Sequence, residues 1–480
     1  MSTAQRVFHH TAIQVAARGA GTLLGLVAIG IMTRSLGREG FGEYAAVTAY
    51  LGVFAVLIDF GISTTLVAML SEVGAEEKKL ASGAFGLRLA STAALLAVAA
   101  LGAYLTPYSP AIKNGIALLA VSYLLVAAQQ IQLAVYQRHL RMDKPALAEV
   151  IGRIILVAGV ALAAQSGSGL NGFLVAVIAA NALQALIGNY LLKNIAPLAP
   201  AFDWQVWKKI IHRAWPIGAA IVFNLIYLRA DIVILSLTRP LSEVGLYGAA
   251  YRVVDVLTIF PMLFMGIILP FLSRAWSLGE KEKFCRVLQR ALDALALLAA
   301  PLVVVTWLIG PELLALIAGA NFRPSGEMLK TLIFGVAAIF IAAAFTHAVV
   351  AVNAQRRMLK WLAADAAVSF FLYWLLIPPL GVPAAAAITV LSEALAMLAA
   401  IAVAISASGA RLSLSVSFRA VLSALGMFAM MLPFAQMPVV IQLFAALIAY
   451  LALAVLLKAI TPRNIRELLA LRSSPIGDVD

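Results

Sequence analysis

Apolar runs of about twenty residues recur along the whole 480-residue chain, separated by short breaks that carry Lys, Arg, Pro or Gly. At 1.5 Å rise per residue, such a run forms a helix about 30 Å long, the thickness of a bilayer's hydrocarbon core. Inside hydrocarbon every backbone donor and acceptor must be satisfied within the protein, so only helices or closed barrels can span. Barrel strands would alternate over roughly ten residues, and these runs are twice that length. The pattern predicts an all-α polytopic membrane protein with about fourteen transmembrane helices. Six centre near Ala20, Phe54, Ala94, Leu124, Val157 and Ala182, and six more near Ile226, Ile259, Leu298, Ile341, Tyr373 and Ala394. Two final helices centre near Leu425 and Ile448.

Composition strengthens this reading. The chain is 63% hydrophobic and 12% charged, about half the charge of an ordinary soluble domain. Its net charge of +13 would suggest nucleic acid in a soluble protein, but here the distribution matters more. Alternating loops, with Lys78, Arg138, Lys208, Arg274 and Arg356 among them, hold with the termini roughly 24 Lys/Arg, against about 6 in the other set. Both termini are therefore expected in the cytoplasm, with no nucleic-acid partner. The longest outer loop, about twenty residues around Pro311 to Lys330, leaves no room for a catalytic ectodomain. The single Cys285, within KEKFCR, forms no intramolecular disulfide. The first apolar stretch contains Arg18 and continues past Ile31 without a small-residue cleavage site, so it reads as a retained helix. Zinc clusters, phosphate-binding glycine loops and nucleophile triads are absent from the sequence, so no catalytic residue, metal or cofactor is expected.

The chain also repeats itself. TRSLGREGF follows the first helix and TRPLSEVGL follows the seventh, so that Thr33, Arg34, Leu36 and Gly40 match Thr238, Arg239, Leu241 and Gly245 without a gap. The same offset matches Glu77 and Lys78 to Glu282 and Lys283. Two six-helix bundles follow, residues 1–195 and 196–408, with residues 409–480 supplying two extra helices and a tail. Six is even, so the halves are parallel, and parallel halves that face each other enclose a central cavity suited to alternating access.

The segments RSLGREGFGEY (Arg34 to Tyr44) and LIDFG (Leu57 to Gly61), with NLIYLRADIVILSL and VGLYGAAY in the second half, resemble bacterial polysaccharide exporters. These are the oligosaccharide flippases of the multidrug/oligosaccharidyl-lipid/polysaccharide exporter superfamily. The resemblance covers about the first 280 residues by motif and the rest by helix count. It implies two six-helix bundles around a V-shaped cavity, with the first, second, seventh and eighth helices innermost. The implied activity moves a polyprenyl-diphosphate-linked oligosaccharide to the outer leaflet, with polysaccharide-assembly proteins as possible partners. Many such flippases have twelve helices, whereas relatives that flip the peptidoglycan precursor have fourteen.

Ionisable residues within spans are costly and mark candidate sites. Gln14, Arg18, Gly21 and Gly25 share a face of the first helix, and Thr48, Gly52, Asp59 and Ser63 a stripe of the second. Asn224, Tyr227 and Asp231 share a face of the seventh, with Arg229 about 140° from Asn224. The eighth offers Tyr251, Arg252 and Asp255. Arginine's planar fork stays charged when desolvated and donates two parallel hydrogen bonds to phosphate. Arg18, Arg229 and Arg252, helped by Gln14 and Asn224, are thus substrate-binding candidates. Asp59, Asp231 and Asp255 are candidates for a coupling proton or sodium ion. Each has a plainer alternative: Arg252 with Asp255, Arg229 with Asp231, or Arg18 with Asp59 as ion pairs. Arg88, Glu149, Arg153 and Asp293 read as cytoplasmic anchors, and Asp365, Glu393 and His347 as packing groups. Gln129, Gln130 and Gln132 read as too dispersed for one stripe and suited to interhelical bonding. The last two helices suit a groove for a prenyl chain, or plain scaffold packing. A multidrug or organic-cation exporter of the same fold, and a membrane glycosyltransferase or polymerase, are the competing functions.

Overall fold

A computed structural model describes residues 3–70, 76–139, 141–193, 198–434 and 436–460, with side chains described for all of these except 3–16, 56, 64, 68, 216–217 and 219–229. Among the described residues there is no strand. The helices are α1 (Thr3–Asp59), α2 (Ile62–Leu70), α3 (Glu77–Tyr104), α4 (Pro110–Arg138), α5 (Asp143–Gln165), α6 (Gly169–Leu192) and α7 (Trp204–Thr238). They continue as α8 (Leu241–Ser277), α9 (Lys281–Ala318), α10 (Arg323–Ala351), α11 (Gln355–Leu380), α12 (Val382–Ser408), α13 (Ser415–Met431) and α14 (Val439–Leu456). Among the described residues, twelve helices are long and apolar enough to cross a membrane. One of them, α1, contains the first two expected spans, and the seventh expected span lies in α7. Every centre read from the sequence thus falls inside a helix.

Two details differ from the sequence reading. The twenty-residue outer loop around Pro311 to Lys330 is mostly helical: α9 runs to Ala318 and α10 starts at Arg323, with one short 3-10 turn between. Pro311 sits within α9, where bilayer helices tolerate proline because neighbours re-satisfy the freed carbonyl. The second span, in turn, is discontinuous. α1 kinks at Gly37 (φ 67°), and the chain breaks again at Phe60 (φ 35°) and Gly61 (φ 73°) before α2. Glycine meets no Cβ penalty at such angles, whereas phenylalanine does.

By contacts the chain forms two units: residues 1–248 with 377–381, and residues 249–376 with 382–480. Among the described residues of the first unit, two apolar cores stand out. One, around Leu66, Met69, Ile131, Tyr136, Val206 and Ile210, gathers α2, the start of α3, the end of α4 and the start of α7. The other, around Val47, Leu51, Leu96, Ile112 and Leu174, gathers α1, α3, α4 and α6. In the second unit α10 packs between α9 and α12, and α13 and α14 lie on α9, where the Tyr450 hydroxyl donates to the Leu297 carbonyl at 2.7 Å. Large apolar side chains point outward on many helices, among them Leu101, Leu162, Leu186, Phe371, Phe444 and Ile448. Hydrocarbon is the medium in which that surface is stable.

Candidate functional site

The discontinuity in the second span is where the first unit concentrates buried charge. Ending α1 at Asp59 leaves carbonyls without intrahelical donors, and a cation is favoured at such a carbonyl end. Arg88 of α3 occupies it. Its guanidinium donates to the Ile58 carbonyl and to the Gln130 side chain, and its Nη2 lies 3.1 Å from Asp59 Oδ1. Arg88 is 1% exposed and Asp59 28%. The Ser63 hydroxyl, on the far side of the break, donates to Asp59 at 2.8 Å. The Nε of Arg88 has no hydrogen-bond partner among the described residues.

This arrangement corrects two expectations. Arg88 is not a surface anchor: it lies eleven residues into α3, about 16 Å along the axis. Before it, the small residues Ala81, Ser82, Gly83, Ala84 and Gly86 are buried within the same helix. Nor does Arg18 pair with Asp59, whose partner is Arg88. Arg18 is exposed on α1, and no described side chain pairs with it. Of its stripe, Gly21 faces Glu149 and Arg153 of α5, while nothing lies within 4 Å of a Cβ built on Gly25.

The two repeat turns meet in the same unit. A Cβ on Gly42 would lie 1.9 Å from the Leu241 carbonyl oxygen, and one on Gly245 would lie 2.1 Å from that of Arg38. The segments therefore touch backbone to backbone, a distance only glycine permits. Beside them Arg239 makes two hydrogen bonds to Glu243, at 3.1 and 2.8 Å, and donates to the Pro378 carbonyl at 3.4 Å. Hydrogen bonding to the Glu243 carboxylate, and its charge, hold the Arg239 guanidinium above its ordinary pKa. Asp231 is 1% exposed and accepts from the fully buried Tyr247 hydroxyl at 2.6 Å. One turn further along α7, Ser236 and Tyr108 share a hydrogen bond of 2.6 Å.

Other candidates fall elsewhere. Arg252 and Asp255 pair with each other one turn apart on α8, at 3.6 Å. The side chains of Gln14, Asn224, Tyr227 and Arg229 lie outside the described residues. Asp365 accepts from the Ser369 and Ser392 hydroxyls across α11 and α12, and His347 bonds the Ala343 carbonyl of its own helix. Gln129 and Gln132 do form one stripe, against expectation, because a three-residue step turns 300° and leaves them only 60° apart. With Tyr136 they donate to the Asn181, Ala185 and Gly188 carbonyls of α6 at 2.8, 3.1 and 2.7 Å. Gln130 points away, to Arg88. Sequence reasoning missed Arg88, Gln130, Tyr247 and Gly42 as partners in these clusters. The one available signal was Asp59-Phe60-Gly61, a glycine two residues after an acid within an apolar run.

A many-span helical bundle with a broken helix and an ion pair inside it is an arrangement found among membrane transporters. Residues 7–276 match the model of a family described as polysaccharide biosynthesis protein, and the chain belongs to that family. Among relatives, a candidate low-salt glycan biosynthesis flippase of Haloferax volcanii is 22% identical over 65% of this chain, and a candidate O-antigen transporter of Shigella flexneri is 21% identical over 65%. The match spans 64% of the length of the Haloferax protein and 77% of the Shigella one. Among solved structures, the lipid II flippase MurJ in an inward closed conformation superposes with a TM-score of 0.77 at 15% identity, over 92% of this chain and 98% of its own. An inward-facing multidrug resistance MATE family transporter of the MOP superfamily gives a TM-score of 0.68 at 13% identity, over 83% of this chain and 98% of its own.

Proposed function

We propose that this protein is a flippase, not an enzyme, that carries a polyprenyl-diphosphate-linked oligosaccharide across the cytoplasmic membrane by alternating access, for cell-surface polysaccharide synthesis. Membership of the polysaccharide biosynthesis family and the names of the two relatives support a glycan as the substrate. The observation that carries the reading is the state of the arginines. Arg88 and Arg252 are engaged by acids of this chain, whereas Arg18 is exposed with no described side chain paired to it. A diphosphate crossing hydrocarbon needs such an uncommitted cation. Positive-inside charge supports cytoplasmic termini, and with them an outer position for Gly42, Gly245, Arg239 and Pro378. In this reading Asp231, or Asp59 once Arg88 is released from it, couples a proton or sodium ion. A drug exporter of the same fold is less well supported, because Asp59 and Asp255 are already paired with arginines.

Depleting the protein should cause a lipid-linked glycan to accumulate in the cytoplasmic leaflet, measured by leaflet-resolved labelling of extracted lipid. Arg18→Ala should leave abundance unchanged and slow flipping roughly ten- to a hundredfold, the value of one hydrogen bond to a charged group. Wild-type rates in that variant would remove Arg18 from the site, and absence of any accumulated glycan would remove the substrate class.

A further inference from the structure

At 35 residues α7 is about 52 Å long, some 20 Å more than the hydrocarbon core requires. The surplus has a definite character at its start. Val206, Ile210 and Ala214 form one buried stripe, packed into the core shared with α2, α3 and α4. A second face is apolar and exposed: Trp204 is 70% exposed, Ile211 43% and Trp215 55%, with Phe202 just before the helix at 76%. At 100° per residue, Trp204, Ile211 and Trp215 lie within about 40° of one another. Lys208 sits at the edge of this face, and His212, Lys209 and Arg213 follow on the next, all of them exposed.

The same end of the unit is basic in excess. Its acids are taken up locally: Glu77 by His139, Asp143 by Arg141 and Lys144, and Glu76 by Lys79. Asp203 caps α7 through the Gln205 and Val206 amides. Lys78, Lys193, Lys208 and Lys209 have no acidic partner among the described residues.

We infer that Phe202 to Trp215 is an interfacial anchor that binds the anionic headgroups of membrane phospholipid. Tryptophan seats at the headgroup level because its ring is amphipathic, and the adjoining lysines complement phosphate. Standing in water, the segment would expose three large aromatic side chains. Laid against the headgroup layer, it exposes none of them while its buried stripe stays in the core. The occupant is bulk acidic lipid, which distinguishes this face from the substrate site proposed at Arg18.

The test reconstitutes the full chain in nanodiscs containing brominated phosphatidylglycerol or brominated phosphatidylcholine and reads tryptophan quenching. It needs no transport, so its failure leaves the flippase reading untouched. Quenching should be stronger with the acidic lipid, and the excess should shrink as salt rises. Each lysine near the surface contributes on the order of fivefold to partition onto an acidic membrane, so Lys208→Gln with Lys209→Gln should abolish most of the preference. Trp204→Phe with Trp215→Phe should remove the lipid-selective part of the signal in an otherwise intact protein. Equal quenching by both lipids, or a preference unchanged in the lysine variant, overturns the inference. So does an absence of quenching from Trp204 and Trp215, the result expected if a protein partner covers this face.

Discussion

Asp59→Leu is expected to lower the stability of the purified protein by about 3 kcal/mol, the lower end of the cost of removing one member of a buried ion pair. Arg88 is the reason. It is 1% exposed, and without Asp59 its charge keeps only the Ile58 carbonyl and the Gln130 amide. The lower end applies because Asp59 is itself partly exposed, so some of the pair's field is already screened. Arg88→Leu alone should cost less, since a partly exposed carboxylate can be solvated. The double variant Asp59→Leu with Arg88→Leu should recover most of the loss, as charge pairs replaced by apolar groups often do. Denaturant unfolding followed by helical circular dichroism measures all three. If Asp59→Leu unfolds at the wild-type denaturant concentration, the pair does not secure the break.

Gly42→Ala should force apart the turns after the first and seventh spans. The added carbon would lie 1.9 Å from the Leu241 carbonyl oxygen, so the backbones must separate by more than an ångström, and a main-chain oxygen has no rotamer to escape into. Overpacking of this kind costs about 1–3 kcal/mol and sometimes more, enough to shift a two-state contact by roughly five- to a hundredfold. Gly245→Ala should act alike, whereas Gly52→Ala, with nothing within 4 Å of its Cβ, is the control. The readout is alkylation of Val244→Cys, a fully buried position beside the contact, in a Cys285→Ser background. The two clashing variants should speed it by the same five- to hundredfold and impair flipping. Unchanged alkylation would mean that the turns yield without parting.

Helix number and type were legible because a twenty-residue apolar run has one solution in hydrocarbon. Interruptions within a run were not. Leu57, Ile58, Phe60 and Ile62 keep the run apolar, and Asp59 and Gly61 between them are the only hint that the backbone turns left-handed there. Arg88 was misjudged for a related reason: the glycines before it score as weakly apolar, yet Gly83 and Gly86 are small so that α3 can lie close to Val206 and Ala201. Ion pairs were legible only within a helix, where spacing alone brings Arg252 to Asp255. The partner of Asp59 comes from another helix, and one sequence does not reveal which helices are neighbours. The Gln129 and Gln132 stripe was legible in principle, because three residues is nearly one turn.

The ladder between α4 and α6 has a consequence for how these two helices can diverge. Each α4 donor binds a main-chain oxygen, which every amino acid supplies alike. Position 185 can therefore change side chain without breaking its bond, whereas position 188 must stay small, since a Cβ there would lie 2.4 Å from Gln132 Oε1. Evolutionary freedom is thus unequal across the seam: the helix that gives protons is constrained in chemistry, and the one that receives them only in bulk.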